Sequence, residues 1–177
     1  MNLPNWTPNW IKNLLGMTTL KGDGTWPFTA RIDGDDIVVD GPVTATSFGG
    51  AYDPQDDGET ASGTSTKAPS VEGCALPVIA ACKSTAGSPL AFTAHIPWRT
   101  PINVTIHGTT VSGIPLIDNG PAKSASEPGM PHAIDLTPAV AARFNPNIPP
   151  HKLADQFEEM CSFRIVGGAK YASIRKL

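Results

Sequence analysis

Glycine and proline interrupt this chain so often that long helices have little room to form. Its 177 residues include 17 glycines and 18 prolines, the two residues that most often mark turns. Hydrophobic residues make up 40% of the chain and charged residues 16%, which is typical of a folded domain that buries a core. The turn residues therefore predict an all-β fold built from short strands.

Short runs of β-branched and apolar residues lie between these turns. The runs at 28–33 and 37–39 predict one hairpin, and a turn at 107–108 predicts a second one. A polar loop over 49–67 is of a length that often serves a function. Further strands are predicted at 43–48, 102–106, 110–117 and 162–166, and a short strand or buried turn is predicted at 76–81.

One helix and one separate N-terminal segment complete the predicted organisation. Threonine and proline at 137–138 indicate a helix N-cap and first residue, and the alanine-rich helix continues to residue 144. In residues 1–24 two tryptophans and several aliphatic residues would line one face of a short helix. We therefore predict an N-terminal arm over 1–24, which packs on the rest of the chain or on a partner, and a β-domain over 25–177.

Charge, hydropathy and cysteine spacing exclude several classes of protein. Residues 1–75 carry ten acidic and four basic side chains, and no part of the chain has the basic stripe of a nucleic-acid-binding protein. No apolar run approaches the roughly 20 residues of a membrane span, and no secretory signal is evident. Cys74, Cys82 and Cys161 lack zinc-ligand spacing. We expect buried thiols, with a Cys74–Cys82 pairing left open, and neither a metal nor another cofactor.

Two aspartates lie where an apolar run meets a turn or a helix. Asp118 follows the run at 114–117, so a strand end would hold its carboxylate rigidly at an accessible rim. Asp135 lies between Ile134 and Leu136, and burial there would raise the pKa of its carboxyl group. Two carboxyl groups in different environments are the usual arrangement for cleaving a glycosidic bond. The structural alternatives are a turn-capping Asp118 and an Asp135 that anchors the helix start.

Three segments share their residues and their order along the chain with one known family. PLIDNGPA at 115–122, continued by AIDLTPAVAARF at 133–144, is similar to a strand end with Asp-x-Gly-Pro and an Ile-Asp-Leu-Ser segment. TASG at 60–63 and TAHIPWRT at 93–100 match two further motifs. Together they resemble the double-psi β-barrel of the rare lipoprotein A family, which expansins and family-45 endoglucanases share. Over residues 43–166 the resemblance implies a six-stranded double-psi β-barrel with one or two short helices.

The same resemblance implies roles for individual residues. Asp118 would be the acid/base that protonates the glycosidic oxygen, and Asp135 would orient the site or bind sugar. Thr60 would form a hydrogen bond near Asp118, and His95 matches the active-site histidine of the family. In the lytic transglycosylases of this family a hydroxyl group of the sugar itself attacks, so no second carboxylate is strictly needed. Thr64 departs from the pattern, because the family usually has glutamate there.

Other residues close to these motifs are candidates for substrate binding. Tyr52 and Trp98 could stack on sugar rings, or pack at the rim or in the core. Asp57 and Thr60 belong to the long polar loop. His132 precedes the second aspartate of the pair by three residues and is a candidate neighbour of the site.

These observations predict a cell-wall glycan-active enzyme, most similar to a peptidoglycan lytic transglycosylase, whose partner is peptidoglycan or another polysaccharide. That role implies a periplasmic or extracellular location, with which the missing secretory signal conflicts. Two alternatives stay open. One is a non-catalytic, expansin-like module that binds polysaccharide. The other is a structural barrel of a phage or secretion machine whose arm, residues 1–24, docks on a protein partner.

Overall fold

Strands are the main regular structure of the described part of the chain. The computed structural model describes residues 25–54, 56–78, 81–84, 90–121 and 132–174. Within these ranges the chain forms ten strands and two short α-helices, which confirms the predicted all-β class. The predicted N-terminal arm over 1–24 lies outside the described residues. None of the helices in the described ranges is long and apolar enough to cross a membrane.

The strands vary from 3 to 12 residues, and the α-helices of the described ranges come late, between β8 and β9. In chain order the strands are β1 (Thr25–Asp33), β2 (Asp36–Ser47), β3 (Cys74–Leu76), β4 (Ala81–Ser84), β5 (Leu90–Phe92), β6 (Pro101–Ile106), β7 (Thr109–Asn119), β8 (His132–Leu136), β9 (Glu158–Ile165) and β10 (Ala172–Ile174). The helices between β8 and β9 are α1 (Pro138–Phe144) and α2 (Leu153–Gln156), and two 3-10 turns cover Pro150–Lys152 and Gly168–Tyr171.

Six of the strands close into a barrel. Their order around the wall is β2, β8, β3, β7, β6 and β9, and β9 pairs again with β2. Strands β2 and β8 are parallel, as are β3 and β7, whereas the other neighbouring strands are antiparallel. This closed, mixed, six-stranded topology is compatible with the double-psi barrel that the sequence predicts.

Strand β2 belongs both to the barrel and to a sheet beside it. Its first residues pair with β1 and β9, and its last residues pair with β8 and β9. The register with β9 shifts between Val39 and Val43. In between, Gly41 has a φ of 76° and lies against the backbone of Cys161. From β1 the sheet continues through β4 and β5 to β10, outside the barrel.

Apolar side chains from all six barrel strands fill the interior. On β6 the alternating residues Ile102, Val104 and Ile106 are at most 2% exposed, as expected for one face of a strand turned to a core. Phe163 of β9 packs edge-on against Phe28 of β1, with 6.3 Å between the ring centroids. This contact joins the outer sheet to the barrel, so the core extends across both.

The three cysteines, Cys74, Cys82 and Cys161, are free thiols buried in this core. The expectation of buried thiols is confirmed, and the Cys74–Cys82 pairing that the sequence left open is not formed. Burial raises the pKa of Cys82 and of Cys161 to about 12, and it also raises the pKa of Cys74. The thiolate is the reactive form of cysteine, so all three groups are unreactive at neutral pH.

The predicted local elements differ from the structure at three places, and strands β5, β8 and β10 were not predicted. Both predicted hairpins form, and the predicted helix begins at Pro138 after Thr137. However, the Thr137 hydroxyl does not cap the helix and instead accepts a hydrogen bond from the amide of Gly73 (3.1 Å). The apolar segment at 76–81 is not one strand, because β3 ends at Leu76 and β4 begins at Ala81. Strand β9 starts four residues before the predicted one, at Glu158.

Candidate functional site

Four residues on adjacent barrel strands form a row. The strand register places Thr46 of β2 beside Asp135 of β8. On its other side Asp135 neighbours Ala75 of β3, which in turn neighbours Asp118 of β7. Residues paired in this way project from the same face of a sheet, and we call these four residues the carboxylate row. Two strand spacings separate the aspartates, which corresponds to about 10 Å between their Cα atoms.

The carboxylate row faces away from the core. Ile134 and Leu136, which flank Asp135 in β8, are fully buried, whereas Asp135 keeps part of its surface exposed. Asp118 is likewise half-buried, and it follows the fully buried Ile117. The barrel therefore brings two carboxyl groups that are 17 positions apart in the sequence to one side of its wall.

Backbone amides hold the Asp118 carboxylate at the end of β7. Its Oδ1 accepts hydrogen bonds from the amide of Asn119 (2.8 Å) and from the amide of Ala61 (2.9 Å), which lies 57 residues earlier. The first bond is the turn-capping contact, and the second connects β7 to the long polar loop. Asp118 thus caps its own turn and anchors the loop. Among the described residues, its Oδ2 has no hydrogen-bond partner.

The part of the loop that reaches Asp118 is a tight polar turn over residues 60–64. Thr60 is 7% exposed, and its hydroxyl donates to the carbonyl oxygen of Thr64 (2.8 Å) and lies 3.0 Å from the Ser62 hydroxyl. The amide of Ser62 donates to a β7 carbonyl oxygen (3.1 Å), which fastens the turn to the barrel. Thr60 therefore lies beside the carboxylate row, where its hydroxyl shapes the turn and the neighbouring amide contacts the carboxylate.

Asp135 is more enclosed than Asp118. The hydroxyl of Thr46, on the adjacent strand β2, donates a hydrogen bond to Oδ1 of Asp135. Its Oδ2 lies over Gly120, where an added Cβ atom would come within 3.1 Å of that oxygen. Because Gly120 has no side chain, it leaves room for the carboxyl group of Asp135.

These surroundings change the acidity of Asp135. Burial is the main cause that raises the pKa of Asp135 from the ordinary value of 3.8 to about 6, and the charges of Asp118 and Asp53 act in the same direction. The Thr46 hydrogen bond and nearby His132 partly oppose the increase. The expectation that burial raises this pKa is confirmed. A carboxyl group that keeps its proton close to neutral pH suits general acid catalysis.

We expect the raised pKa of Asp135 to make the folded protein lose stability as the pH rises from about 4 to about 7. The folded protein binds the proton of the Asp135 carboxyl group more tightly than the unfolded chain does. The resulting stabilisation is therefore complete below pH 3.8 and is lost as the pH rises past 6. The shift corresponds to roughly 3 kcal/mol at most. Asp135→Asn cannot ionise, so it should be about 1–3 kcal/mol more stable than wild type near pH 7.5 and show no such gain near pH 3.5.

Urea unfolding at the two pH values measures this difference. Asp155→Asn is the matched control, because Asp155 is an exposed aspartate on α2, outside the carboxylate row. Its stability relative to wild type should be the same at both pH values. If the difference in unfolding free energy between Asp135→Asn and wild type were the same at both pH values, it would contradict the enclosed environment of Asp135.

His95 lies beside the end of β7. Its Nε2 is 3.2 Å from Oδ1 of Asn119, the residue after Asp118, and its Nδ1 is 2.6 Å from the carbonyl oxygen of Ile96. The imidazole packs edge-on against Trp98, with 4.9 Å between ring centroids. Trp98 is half-buried against the core. The structure thus brings both residues to the Asp118 end of the row, where His95 and Asn119 border a small open recess with mainly apolar walls.

His132 lies near the opposite end of the row. It pairs with Thr44 of β2, and its Nε2 is 3.7 Å from Oε1 of Glu158. His132 is close enough to Asp135 to lower the pKa of that carboxyl group. The Thr44 hydroxyl is buried and has no hydrogen-bond partner in the described part of the chain. The structure therefore places His132 near Asp135, and its role in substrate binding stays a prediction.

Tyr52 lies on the loop that also carries Asp53. It is 65% exposed, and its ring contacts the ring of His151 edge-on, with 6.1 Å between centroids. The next residue, Asp53, accepts a hydrogen bond from the amide of Gly49 (2.9 Å), and its charge contributes to the raised pKa of Asp135. An exposed aromatic ring is thus held on a structured loop near the enclosed carboxyl group.

Asp57 stabilises the loop in which it lies. Its Oδ1 accepts a hydrogen bond from the amide of Glu59 (2.9 Å), and the preceding Asp56 accepts bonds from the amide of Gly58 (2.7 Å) and the hydroxyl of Thr66 (3.1 Å). Within the described ranges no contact joins Asp57 to the carboxylate row, and no three potential metal ligands converge at one point. Asp57 therefore shapes the loop, whereas its predicted role in substrate binding stays a prediction.

Sequence reasoning missed three residues that complete the site. Thr46 contacts Asp135 from 89 positions away, and a threonine in a β-branched run carries no signal of that contact. Ala61 acts through its backbone amide, so its side chain gives no indication of the role. Arg99 donates a hydrogen bond to the turn at Thr64. A positive charge within a matched motif was the one signal that could have drawn attention to it.

The fold and the site together define a class, namely an all-β protein with a closed, six-stranded mixed barrel and two carboxyl groups on one outer face. No protein-family model and no curated protein sequence matches the chain. The likeness to the rare lipoprotein A family therefore rests on the three sequence motifs and on a compatible barrel topology.

Proposed function

We propose that the carboxylate row is the catalytic site of an enzyme that cleaves cell-wall glycan in the manner of a peptidoglycan lytic transglycosylase. The observation that carries the proposal is the presence of two carboxyl groups in different environments on one face of the barrel. Asp135 is enclosed and keeps its proton to near-neutral pH, whereas Asp118 accepts two amide hydrogens at an open strand end. Glycosidic-bond cleavage uses such pairs, because one group donates a proton while the other stays ionised.

The contacts favour Asp135 as the proton donor. The resemblance assigns the acid/base role to Asp118, but a general acid works best when its pKa lies near the working pH. Burial raises the pKa of Asp135 to about 6. Oδ1 of Asp118 accepts from two amides, and its Oδ2 has no hydrogen-bond partner among the described residues. We therefore assign proton donation to Asp135 and proton acceptance to Asp118.

The proposed step breaks the bond between the anomeric carbon and the glycosidic oxygen. Asp135 donates its proton to that oxygen, which leaves as a hydroxyl group of the departing sugar. The primary hydroxyl of the remaining sugar attacks the anomeric carbon, and Asp118 accepts the proton that this hydroxyl releases. The product is an internal anhydro sugar, no water is consumed, and exchange with solvent restores both carboxyl groups.

Aromatic residues flank the row at both sides, as a polysaccharide substrate requires. A glycan chain lying along the row would meet Tyr52 at the Asp135 side and His95 with Trp98 at the Asp118 side. Sugar rings bind aromatic faces through their apolar surface while their hydroxyl groups keep polar partners. A cell-wall substrate would place the protein in the periplasm or outside the cell.

The proposal predicts that the purified protein releases soluble anhydro-muropeptides from peptidoglycan sacculi. Mass spectrometry identifies these products, because each is lighter by one water than the corresponding product of hydrolysis. Asp118→Ala should lower the release by about 10²-fold, since a positioned base contributes at least that much to proton transfer. Its Tm should fall moderately, because the amides of Ala61 and Asn119 lose their acceptor, so release is compared at a temperature at which thermal unfolding shows both proteins to be folded.

Asp155→Ala is the control for the loss of an aspartate outside the row. Full release by Asp118→Ala would show that Asp118 takes no part in the reaction. If wild-type protein released neither anhydro products nor hydrolysis products from sacculi, the enzymatic proposal would be wrong.

A non-catalytic, polysaccharide-binding role is the second candidate, and Thr64 favours it. The Thr64 hydroxyl lies 2.9 Å from that of Ser62 and accepts a hydrogen bond from Arg99 (2.9 Å). The site therefore has one carboxylate fewer than the family pattern, in which glutamate occupies this position. Binding to sacculi or cellulose without any soluble product would select this role.

A further inference from the structure

His132 and Asp135 project from the same face of the barrel because strand β8 contains an extra residue between them. His132 pairs with Thr44 of β2, and Ile134 pairs with the next β2 residue, so the register shifts at the buried Ala133. In a regular strand, residues three positions apart project from opposite faces. A bulge re-aims a side chain, and here the β2 partners of His132 and Asp135 are two positions apart. The bulge therefore places the imidazole on the outer face that carries the carboxylate row.

Glu158 of β9 contacts the imidazole from the other side of β2. Glu158 pairs with Thr46, the β2 residue that also neighbours Asp135, so it extends the carboxylate row by one strand. Its Oε1 lies 3.7 Å from Nε2 of His132. The side chain of His132 is 18% exposed, whereas that of Glu158 is 62% exposed. The contact is an ion pair whenever the imidazole carries its second proton, and it holds His132 beside the row.

The ionisable neighbours of Asp135 act on it in opposite directions. Burial is the largest influence on the pKa of Asp135 and raises it. The Thr46 hydrogen bond and the charge of His132 lower this pKa, in that order. The charges of Asp118 and Asp53 raise it. Among these charged neighbours in the described part of the chain, histidine is the residue type whose charge changes between about pH 5 and 8.

We propose that His132 is a positioning residue for the proposed reaction, because its charge decides over which pH range Asp135 carries the proton that it donates. The inference rests on the proposed function, since it needs Asp135 to be the proton donor. While the imidazole is charged, it favours the ionised carboxylate, and this influence ends when the imidazole becomes neutral. His132 itself forms no bond to the sugar and transfers no proton to it.

Carbon-13 NMR of the full chain, labelled at its aspartate carboxyl groups, follows the ionisation of Asp135 without any substrate. Asp135→Asn identifies the signal, because the signal is missing from that variant. His132→Gln removes the charge at position 132, and His132→Lys keeps a positive charge at every pH used. His107→Gln is the matched control, because His107 also pairs with a glutamate (2.8 Å) but lies in the turn between β6 and β7. Thermal unfolding establishes that each variant is folded over the pH range.

We expect His132→Gln to raise the pKa of Asp135 by roughly 0.5–1. An opposite charge at close range changes a carboxyl pKa by about 1–3, and the imidazole is charged for only part of this pH range. His132→Lys should keep the pKa of Asp135 at or below the wild-type value, and His107→Gln should leave it unchanged. The pH above which release of anhydro-muropeptides falls should rise in His132→Gln by the same roughly 0.5–1.

Wild-type protein supplies a measurement that does not depend on the folding of a variant. Because the ionisation of Asp135 and that of His132 affect each other, the Asp135 signal should titrate over a broader pH range than that of an isolated carboxyl group. The ring signals of His132 should respond over the same range as Asp135 loses its proton. The control histidine, His107, should show no such response.

The outcomes separate this inference from the proposed function. If the pKa of Asp135 is the same in wild type, His132→Gln and His132→Lys, the inference is wrong, while the proposed function stands on the release of anhydro products by wild type. A wild-type Asp135 signal that titrates as an isolated group would also overturn the inference. If the pKa of Asp135 shifts as expected but the pH profile of release does not follow it, Asp135 is not the proton donor, and the inference is wrong together with that assignment.

Discussion

Asp135→Asn is expected to lower the release of anhydro-muropeptides by about 10²–10⁴-fold, the range that a positioned general acid contributes. The asparagine side chain has the same shape as aspartate, and its amide oxygen can accept the hydrogen bond that the Thr46 hydroxyl donates. It has no proton to give to the glycosidic oxygen. Because the variant should also be more stable than wild type at neutral pH, unfolding cannot cause the loss.

The pH dependence of the reaction separates proton donation from a merely structural role. Wild-type activity should fall as the pH rises above about 6, where Asp135 loses its proton. The residual activity of Asp135→Asn should lack this decrease, because no group at position 135 ionises. Residual activity that fell with pH as wild type does would assign the proton to another residue, and activity close to wild type would remove Asp135 from the mechanism.

Gly41→Ala is expected to destabilise the protein by about 2–5 kcal/mol, which combines two effects. Gly41 has a φ of 76°, where a residue with a side chain costs about 1–2 kcal/mol. An added Cβ would also lie 2.6 Å from the carbonyl oxygen of Cys161. That atom belongs to the backbone of β9 and cannot rotate away, so overpacking adds about 1–3 kcal/mol. The collision falls where β2 and β9 close the barrel.

Gly113→Ala is the matched control for this prediction. Gly113 also has a φ of 76°, but an added Cβ there would meet nothing within 4 Å. It should therefore show the conformational cost alone, about 1–2 kcal/mol. Urea unfolding of both variants measures the two free energies, and their difference isolates the collision with β9. Equal losses in the two variants would contradict the close approach of Gly41 to β9.

The two aspartates of the site were recognisable in the sequence because local signals surround each of them. Asp118 stands between an apolar run and an Asn-Gly-Pro turn, and Asp135 stands between apolar residues just before a helix start. Such signals involve only a few neighbouring residues, so they can be recognised without knowledge of the fold. The hydrogen bond from the Asn119 amide to the Asp118 carboxylate is of this local kind and agrees with the turn-capping alternative, whereas the amide of Gly120 donates to the carbonyl oxygen of Leu76.

The contacts that give the two carboxyl groups different properties were not predictable in the same way. Thr46 reaches Asp135 from another strand, and Ala61 reaches Asp118 through a backbone amide. The resemblance named Thr60 for the contact with Asp118, and the structure uses the amide of the residue after it. Which atom of a polar turn meets a carboxylate depends on how the turn docks on β7, and sequence similarity does not specify that docking.

The amino-acid sequence by itself determined the all-β class, both hairpins, the start of the main helix and the identity of the paired aspartates. Turn residues and the alternation of apolar side chains set these features over short distances along the chain. The tertiary structure decided the rest. Closure of the barrel sets the strand register that places Ala75 between Asp118 and Asp135. The same closure buries the Asp135 carboxyl group more than that of Asp118. It also places the Arg99 side chain beside the polar turn over residues 60–64. Pairing between strands distant in sequence depends on how all six fit together, so no single segment encodes it.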